Sequence, residues 1–173
     1  MKKNFNNKEG ILFWITGLSG SGKSTIASSI YRKINQIYGP TIVLHGDDIR
    51  KIFKLNSYDK DSRLRIGKMY INLAELIIKK KINVIFAVAC LFDEARKINR
   101  LKFKNYIEIF IKSGVKNIIK NKKKESLYTK KNVWGIDIKP EFPKKPKIIL
   151  KNNFKKEKNK LAEELIKKIA NTI

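Results

Sequence analysis

A short segment rich in glycine and hydroxyl residues constrains this chain more than any other feature of its sequence. Residues 17–25 read Gly-Leu-Ser-Gly-Ser-Gly-Lys-Ser-Thr and match the pattern G-x-x-x-x-G-K-[ST] in full. An apolar, strand-like run precedes the segment and a helix-like stretch follows it, which is the context that a phosphate-binding loop requires. Backbone N–H groups of such a loop curl around a phosphate at the positive end of a helix. The sequence therefore predicts a nucleotide-binding protein.

The side chains of this loop predict how the phosphates and a metal ion are held. Lys23 is predicted to reach the β- and γ-phosphates of the nucleotide, and the hydroxyl of Ser24 is predicted to bind Mg²⁺. A glycine turn with a surface lysine is the alternative, but it does not explain why two hydroxyl residues follow Lys23. The motif leaves the acceptor open, because ATPases, GTPases, helicases and small-molecule kinases share it. The other residues predicted to line the phosphate site are Gly17, Ser19, Gly20, Ser21, Gly22 and Thr25.

Length and composition exclude several other kinds of protein. The chain has 173 residues, of which 42% are hydrophobic, so it can pack a core, and we predict a single domain over residues 1–173. One cysteine and one histidine exclude a disulfide framework and a cysteine-rich or multi-histidine metal site. The N-terminal apolar run, residues 11–18, is too short for a membrane span of about 20 residues. We therefore expect a cytoplasmic protein with no membrane partner.

The chain carries a formal charge of +25, which attracts polyanions such as nucleic acid. Only six of its 40 basic residues are arginine, however, and its wealth of Lys, Asn and Ile is typical of AT-rich coding. Proteins that read bases rely on arginine, whose planar fork matches guanine and phosphate. We therefore interpret the charge as compositional drift and expect no nucleic-acid partner, while a phosphate role for the lysine run at residues 122–124 stays open.

Apolar runs alternate with helix-like stretches along the chain. Strands are predicted over residues 10–16, 41–45, 82–89, 106–111 and 148–150, and helices over residues 23–38, 59–81, 92–103 and 158–173. Residues 1–9 are polar and are expected to be disordered. Near-continuous apolar strands between helices are typical of a parallel sheet covered on both faces, so we predict an α/β fold.

Three further patterns give the chain a specific resemblance. Residues 13–25, which include the loop, are similar to the opening segment of the adenylyl-sulfate kinase family. Residues 44–50 are similar to the family's L-D-G-D-[ND]-[IV]-R segment. Tyr58 with Arg63 resembles its F-S-x-x-D-R, and residues 135–143 resemble its G-I-D-x-x-x-E-x-P. The resemblance implies a P-loop NTPase-type three-layer α/β/α fold with a five-stranded parallel sheet. It also implies ATP as the phosphoryl donor, the ribose 3′-hydroxyl of adenosine 5′-phosphosulfate as the acceptor, and a homodimer.

The resemblance also implies roles for individual residues. Asp47 follows the second predicted strand, at the rim where such sheets bind ligands, and is predicted to orient the acceptor hydroxyl or accept its proton. The alternative for Asp47 and Asp48 is that they cap the next helix. Lys122 is predicted to lie over the ATP phosphates as part of a lid. The alternative for Tyr58 is a half-buried core tyrosine, and the alternative for Cys90 is a small buried apolar residue. The alternative for Arg50 and Arg63 is that each is an arginine on a helix surface. The predicted contacts of the nucleotide acceptor are Asp47, Arg50, Tyr58, Arg63, Cys90, Leu91, Lys130 and Ile136.

Some positions depart from the family's patterns. His45 stands where the family has its first aspartate, and residues 90–93, Cys-Leu-Phe-Asp, stand where it has S-P-[YF]-R. The serine, the proline and an acceptor-binding arginine are therefore missing, and Arg96 or Arg100 is the candidate for supplying the lost positive charge. The lid segment, residues 122–128, has lysine where the family has an arginine that covers the ATP phosphates.

The middle of the chain resembles one branch of the family more closely. Residues 91–94, 99–100 and 105–108 are similar to adenylyl-sulfate-kinase-like proteins of bacterial surface-polysaccharide loci. Some of those proteins are cytidine diphosphoramidate kinases, which phosphorylate the same kind of ribose 3′-hydroxyl on a different nucleotide. Two alternatives therefore stay open: a cytidine diphosphoramidate 3′-kinase, and a decayed kinase that binds nucleotide or nucleic acid. Residues 45–50 and 135–137 argue against a shikimate- or gluconate-type kinase.

Overall fold

The computed structural model describes residues 9–122, 128–129 and 131–173. Its strands are β1 (Leu12–Thr16), β2 (Thr41–His45), β3 (Asn83–Val88), β4 (Tyr106–Lys112) and β5 (Ile148–Lys151). Its helices are α1 (Lys23–Tyr38), α2 (Gly46–Ile52), α3 (Lys60–Ile78), α4 (Asp93–Lys102), α5 (Val115–Lys122) and α6 (Lys158–Ala170). The strands form one sheet in the order β2-β3-β1-β4-β5, and every pairing is parallel. The predicted five-stranded parallel sheet is confirmed.

Apolar side chains of the central strand point alternately to the two faces of the sheet. Leu12 and Trp14 of β1 belong to a core formed with α3 and α4 on one face. Phe13 and Ile15 belong to a second core formed with α1 and α6 on the other face. Burying such a side chain contributes about 1.5–3 kcal/mol relative to leaving it in water. Helices therefore cover both faces, which confirms the three-layer α/β/α arrangement.

The predicted elements differ from the structure at helix ends and in two short helices. The helix predicted over residues 59–81 ends at Ile78, because the chain turns there and Lys81 has a φ of +62°. The last helix ends at Ala170 instead of residue 173. The sequence does not predict α2 and α5, because their seven and eight residues are too few to show a helical repeat of apolar positions. Residues 1–8 lie outside the described part of the chain, and within that part no helix is long and apolar enough to cross a membrane.

The carboxyl ends of three neighbouring strands carry the segments that the sequence singles out. β1 leads into the phosphate loop, β2 leads into α2 with Asp47, and β3 leads towards Cys90. Because β2, β3 and β1 are adjacent and parallel, these segments meet at one edge of the sheet.

Candidate functional site

The phosphate loop connects β1 to α1 with the backbone geometry that its glycines allow. Gly20 and Gly22 have φ values of +78° and +96°, in the left-handed region that favours glycine. Lys23, the first residue of α1, is only 8% exposed. Its ammonium group donates a hydrogen bond of 2.8 Å to the carbonyl oxygen of Leu18, so the lysine lies along the loop.

A cavity of about 400 Å³ opens over this loop and brings the two halves of the predicted site together. Asp47, Tyr58 and Arg63 line it opposite the loop, although they come from different segments of the chain. Further wall residues that the motif did not predict are Ala87, Ala89, Lys131 and Val133. The predicted loop residues in its wall are Ser19, Gly20, Gly22, Lys23, Ser24 and Thr25.

A smaller cavity of about 70 Å³ adjoins the larger one. The two share five wall residues: Ser19, Asp47, Tyr58, Arg63 and Ala89. The smaller cavity is also lined by Arg50 and Cys90, two residues that the resemblance predicts to contact the acceptor. The other residues in its wall are Gly46, Ile66, Gly67 and Tyr70. The predicted donor and acceptor residues therefore meet at Asp47.

Asp47 reaches the site because α2 begins directly where β2 ends. Gly46 is buried, and its carbonyl oxygen accepts a hydrogen bond of 2.9 Å from the Tyr70 hydroxyl. Burial raises the pKa of Tyr70 to about 12, so this hydroxyl stays protonated and keeps donating at neutral pH. Asp47 and Asp48 both lie in the first turn of α2, but the N-cap residue is His45. The alternative interpretation, in which Asp47 and Asp48 cap this helix, is therefore wrong, because both residues lie inside it.

Two arginines flank the Tyr58 ring at the wall of the cavities. The guanidinium carbon of Arg50 lies 4.5 Å from the centre of that ring and that of Arg63 lies 5.2 Å from it. Tyr58 is 46% exposed and lines both cavities, and it belongs to neither of the two apolar cores described above. Arg63 also donates hydrogen bonds of 2.7 Å to the carbonyl oxygens of Tyr58 and Asn132. These contacts hold the side chains of Tyr58 and the two arginines in place, so that two positive charges lie beside the cavity.

The two arginines also influence each other electrostatically. Burial, and then the positive charge of Arg50, lower the pKa of Arg63 from its ordinary value. A guanidinium group nevertheless stays protonated in a protein. Two cations held this close favour the binding of an anionic group between or beside them, because it offsets their repulsion.

Cys90 both packs against α3 and lines the smaller cavity. It is 4% exposed, and a Cβ added at Gly67 would lie 2.7 Å from its sulfur atom, so α3 needs a glycine there. Burial raises the pKa of the thiol to about 12, so Cys90 is neutral at physiological pH. It is therefore a small apolar wall residue and not a nucleophile.

The structure does not bring every predicted acceptor residue to the cavities. Leu91 is fully buried in the core, and its carbonyl oxygen accepts a hydrogen bond from the Glu141 N–H group. Ile136 is 54% exposed and lies outside both cavity walls. Lys130 and the side chain of Lys122 lie outside the described part of the chain.

Residues near the lid contribute contacts that the sequence did not reveal. Lys131, next to the predicted Lys130, lines the larger cavity. The Tyr128 hydroxyl donates a hydrogen bond of 2.7 Å to the carbonyl oxygen of Ser19 in the phosphate loop. Trp134 is buried, and the guanidinium carbon of Arg63 lies over its ring, 5.5 Å from the ring centre. The adjacent lysine pair was a signal for Lys131, and the lid segment predicted for residues 122–128 ends at Tyr128, but nothing in the local pattern pointed to Trp134.

Arg96 and Arg100 do not supply the positive charge missing from residues 90–93. Arg96 is fully buried, where it pairs with Asp93 and lies 3.6 Å from Glu108. Arg100 forms an ion pair of 2.7 Å with the same glutamate. Burial raises the pKa of Glu108, the two arginines oppose that rise, and the group joins α4 to β4. Neither arginine lines a cavity, so that prediction is wrong.

Comparison with known proteins places these features in a family. The sequence model described as adenylylsulphate kinase matches residues 9–151. The cytidine diphosphoramidate kinase of Campylobacter jejuni is 32% identical over 165 residues, which cover 92% of this chain and 96% of that protein. An adenylyl-sulfate kinase of Buchnera aphidicola is 33% identical over 170 residues, covering 87% and 78% of the two chains.

A solved structure has the same fold. The Mycobacterium tuberculosis APS kinase in complex with AMPPNP and APS superposes with a TM-score of 0.78, and the match covers 94% of this chain and 98% of that one. The two sequences are 23% identical, so this likeness concerns the fold alone. The sequence matches carry the assignment, and they show that the chain belongs to the adenylylsulphate kinase family of phosphotransferases.

Proposed function

We propose that this protein transfers the γ-phosphoryl group of ATP to the ribose 3′-hydroxyl of adenosine 5′-phosphosulfate or a closely related nucleotide. One observation carries the proposal. The wall of a single cavity contains the loop residues Lys23 and Ser24 on one side, and Asp47, Tyr58 and Arg63 on the other. A phosphate held by the loop therefore lies in the same space as a carboxylate and an arginine suited to an anionic acceptor.

On the donor side, the loop residues fit a nucleotide triphosphate with its metal ion. Lys23 lies at the cavity wall, where its ammonium group can exchange the Leu18 carbonyl for phosphate oxygens. The Ser24 side chain is exposed at the same wall and offers the hydroxyl oxygen that Mg²⁺ requires. Ser24 would hold the Mg²⁺, which would supply positive charge that stabilises the negative charge developing on the phosphates during transfer.

On the acceptor side, Asp47 is placed to orient the attacking hydroxyl. In the proposed step the hydroxyl oxygen forms a bond to the γ-phosphorus of ATP, and the bond from that phosphorus to its bridging oxygen breaks. ADP leaves, and the hydroxyl proton passes to Asp47. Arg50 and Arg63 hold the anionic groups of the acceptor, so that catalysis consists of positioning and electrostatic stabilisation.

Cytidine diphosphoramidate is a second candidate acceptor. It is favoured by the relative in Campylobacter jejuni, whose similarity covers 92% of this chain, and by Cys90 and Asp93 where the family pattern has serine and arginine. The first acceptor would place the protein in sulfate assimilation and the second in polysaccharide biosynthesis. The homodimer implied by the family is a further proposal, which light scattering of the purified protein tests.

The acceptor is identified by steady-state kinetics with Mg²⁺ and ATP, offering adenosine phosphosulfate and cytidine diphosphoramidate separately. We expect ADP release that depends on one acceptor, with a kcat/KM at least tenfold above the other, and no turnover by Lys23→Ala. Equal, acceptor-independent ATP hydrolysis would contradict the proposal. A decayed kinase would instead turn over neither acceptor, and its nucleic-acid binding would fall steeply with salt and be indifferent to Lys23→Ala.

A further inference from the structure

Asn152, which directly follows β5, is fixed by contacts on three sides. Its side-chain N–H donates a hydrogen bond of 2.9 Å to the carbonyl oxygen of Ser21 in the phosphate loop. Its side-chain oxygen accepts a 3.0 Å bond from the Phe154 N–H group, and its own backbone N–H donates to the carbonyl oxygen of Lys112. Asn152 is only 6% exposed. The last strand of the sheet is therefore tied to the nucleotide site through one buried amide.

This bond determines how one peptide group of the phosphate loop is oriented. In a trans peptide the C=O and N–H groups point in opposite directions. Because the Ser21 carbonyl points to Asn152, the N–H of Gly22 points away from it. Gly22 lies in the cavity wall and Asn152 does not, so this N–H faces the side on which phosphate binds.

A second observation shows how closely Asn152 and the loop fit. A Cβ added at Gly22 would lie 2.8 Å from the side-chain nitrogen of Asn152. Gly22 also has a φ of +96°, which side chains rarely adopt. The loop thus passes over Asn152 with no room for a side chain.

We propose that Asn152 is a positioning residue for the donor nucleotide. By holding the Ser21 carbonyl it presents the N–H of Gly22 to the phosphates, although it touches no substrate itself. This inference rests on the proposed function, in which the loop binds ATP.

The test compares two isosteric variants that add the same charge at neighbouring positions. Asn152→Asp keeps the side-chain oxygen that accepts from the Phe154 N–H group. It replaces the side-chain N–H group that donates to the Ser21 carbonyl with an oxygen of a carboxylate, which is ionised at pH 8. Asn153→Asp is the control, because Asn153 is exposed and its side-chain oxygen accepts from Lys155. The measurements are Mg-ADP affinity, from titration of a fluorescent ADP analogue, and KM for ATP and for the acceptor.

We expect Asn152→Asp to weaken Mg-ADP binding about tenfold or more, because a carbonyl loses its donor and faces a carboxylate. KM for ATP should rise in parallel while KM for the acceptor stays unchanged, which general destabilisation would not produce. Asn153→Asp should change nucleotide affinity less than about twofold, because it alters only exposed charge. Equal effects of the two variants, or full affinity in folded Asn152→Asp, would overturn the inference.

If Asn152→Asp does not fold, Asn152→Ala is compared with Asn153→Ala at a temperature where circular dichroism shows both folded. The same tenfold difference in Mg-ADP affinity is expected, and its absence overturns the inference.

Failure of this inference can be distinguished from failure of the proposed function. A protein that binds Mg-ADP but phosphorylates neither acceptor contradicts the proposed function, whereas the affinity comparison of the variants still stands.

Discussion

The donor and acceptor sides of the cavity are built in different ways. The donor side is one continuous segment between β1 and α1, and most of its wall residues belong to a single motif. The acceptor side is assembled from α2, Tyr58, α3, the end of β3 with the residues that follow it, and Lys131 with Val133. The residues of the donor side follow one another in the sequence, although Tyr128 and Asn152 contact them from distant segments, whereas the acceptor wall is formed by packing between distant segments. Because the loop backbone needs positive φ at its glycines, we expect the donor side to tolerate fewer substitutions and the acceptor side to be where specificity diverges.

Removing the lysine of the donor side should have the largest effect. We expect Lys23→Ala to lower kcat/KM about 10²–10³-fold or more, because it removes a cation from the transferred phosphate. Lys33→Ala, on an exposed position of the same helix, is the matched control and should leave the rate unchanged. Initial ADP release rates for both variants check this, and a Lys23→Ala rate within tenfold of wild type would contradict it.

Asp47 tests the point at which the two sides meet. Asp47→Asn should lower kcat about 10²–10⁴-fold while the affinity for Mg-ADP changes little, since the variant loses only the group that accepts the hydroxyl proton. Asp48→Asn is the control, because Asp48 lies in the same turn but outside both cavity walls. Single-turnover kinetics distinguish the two variants, and equal losses would show that the charge of the helix turn matters more than the position of Asp47.

Arg63 should separate the acceptor side from the donor side. Arg63→Ala removes a cation from the cavity and its bonds to two carbonyl oxygens, so KM for the acceptor should rise about 10–100-fold. KM for ATP should change less than about threefold. Arg65→Ala, two residues further along α3, is the control. Varying each substrate in turn checks the comparison, which fails if both KM values rise together.

The thiol of Cys90 should have the smallest of these effects, and the effect is on the free energy of unfolding and its dependence on pH. Its thiol has a pKa raised to about 12 in the folded protein from an ordinary value of 9.0. A raised pKa means that the unfolded chain releases its proton first, so stability is complete below pH 9 and falls as pH rises above it. The slope rises from about 0.7 kcal/mol per pH unit at pH 9 to about 1.2 kcal/mol per pH unit at pH 10.

The control for this pH effect is Cys90→Ala. The free energy of unfolding, measured by urea titration at pH 8, 9 and 10, should fall less steeply in this variant than in wild type. Burial also raises the pKa of Tyr38, Tyr70, Tyr106 and Tyr128, and these groups lower the stability in the same direction as the pH approaches their ordinary value of 10.0. They are present in both proteins, so the difference between the two slopes reports the thiol. Parallel slopes for the two proteins would contradict the account.

The donor side could be predicted from the sequence because its information is local. The spacing of Gly17, Gly22 and Lys23 between a strand and a helix defines both the loop and its chemistry. Asp47 was predictable for a related reason, since a residue at the carboxyl end of a parallel strand lies at the ligand-binding edge. The bounds of α1 and β2 also agree with the sequence prediction, because each has a clear apolar pattern.

Contacts between residues far apart in the chain could not be predicted on either side of the cavity. Tyr128 and Asn152 bind phosphate-loop carbonyl groups more than 100 residues away. Arg96 shows the opposite problem. Its sequence position suggested a substrate contact, but the helix turns its side chain into the interior, where Glu108 of β4 and Asp93 pair with it. Periodicity alone did not reveal which face of this charged helix is buried.

The most direct test of the account is to locate the phosphate on the product. The purified protein is incubated with Mg²⁺, ATP and each acceptor, and the products are analysed by ³¹P and ¹H NMR. The account predicts a new phosphomonoester on the ribose 3′-carbon of one acceptor, formed in equal amount with ADP and absent with Lys23→Ala. ADP formation without transfer of phosphate to either nucleotide, or transfer to a different hydroxyl, would contradict the claim that the cavity joins donor and acceptor at Asp47.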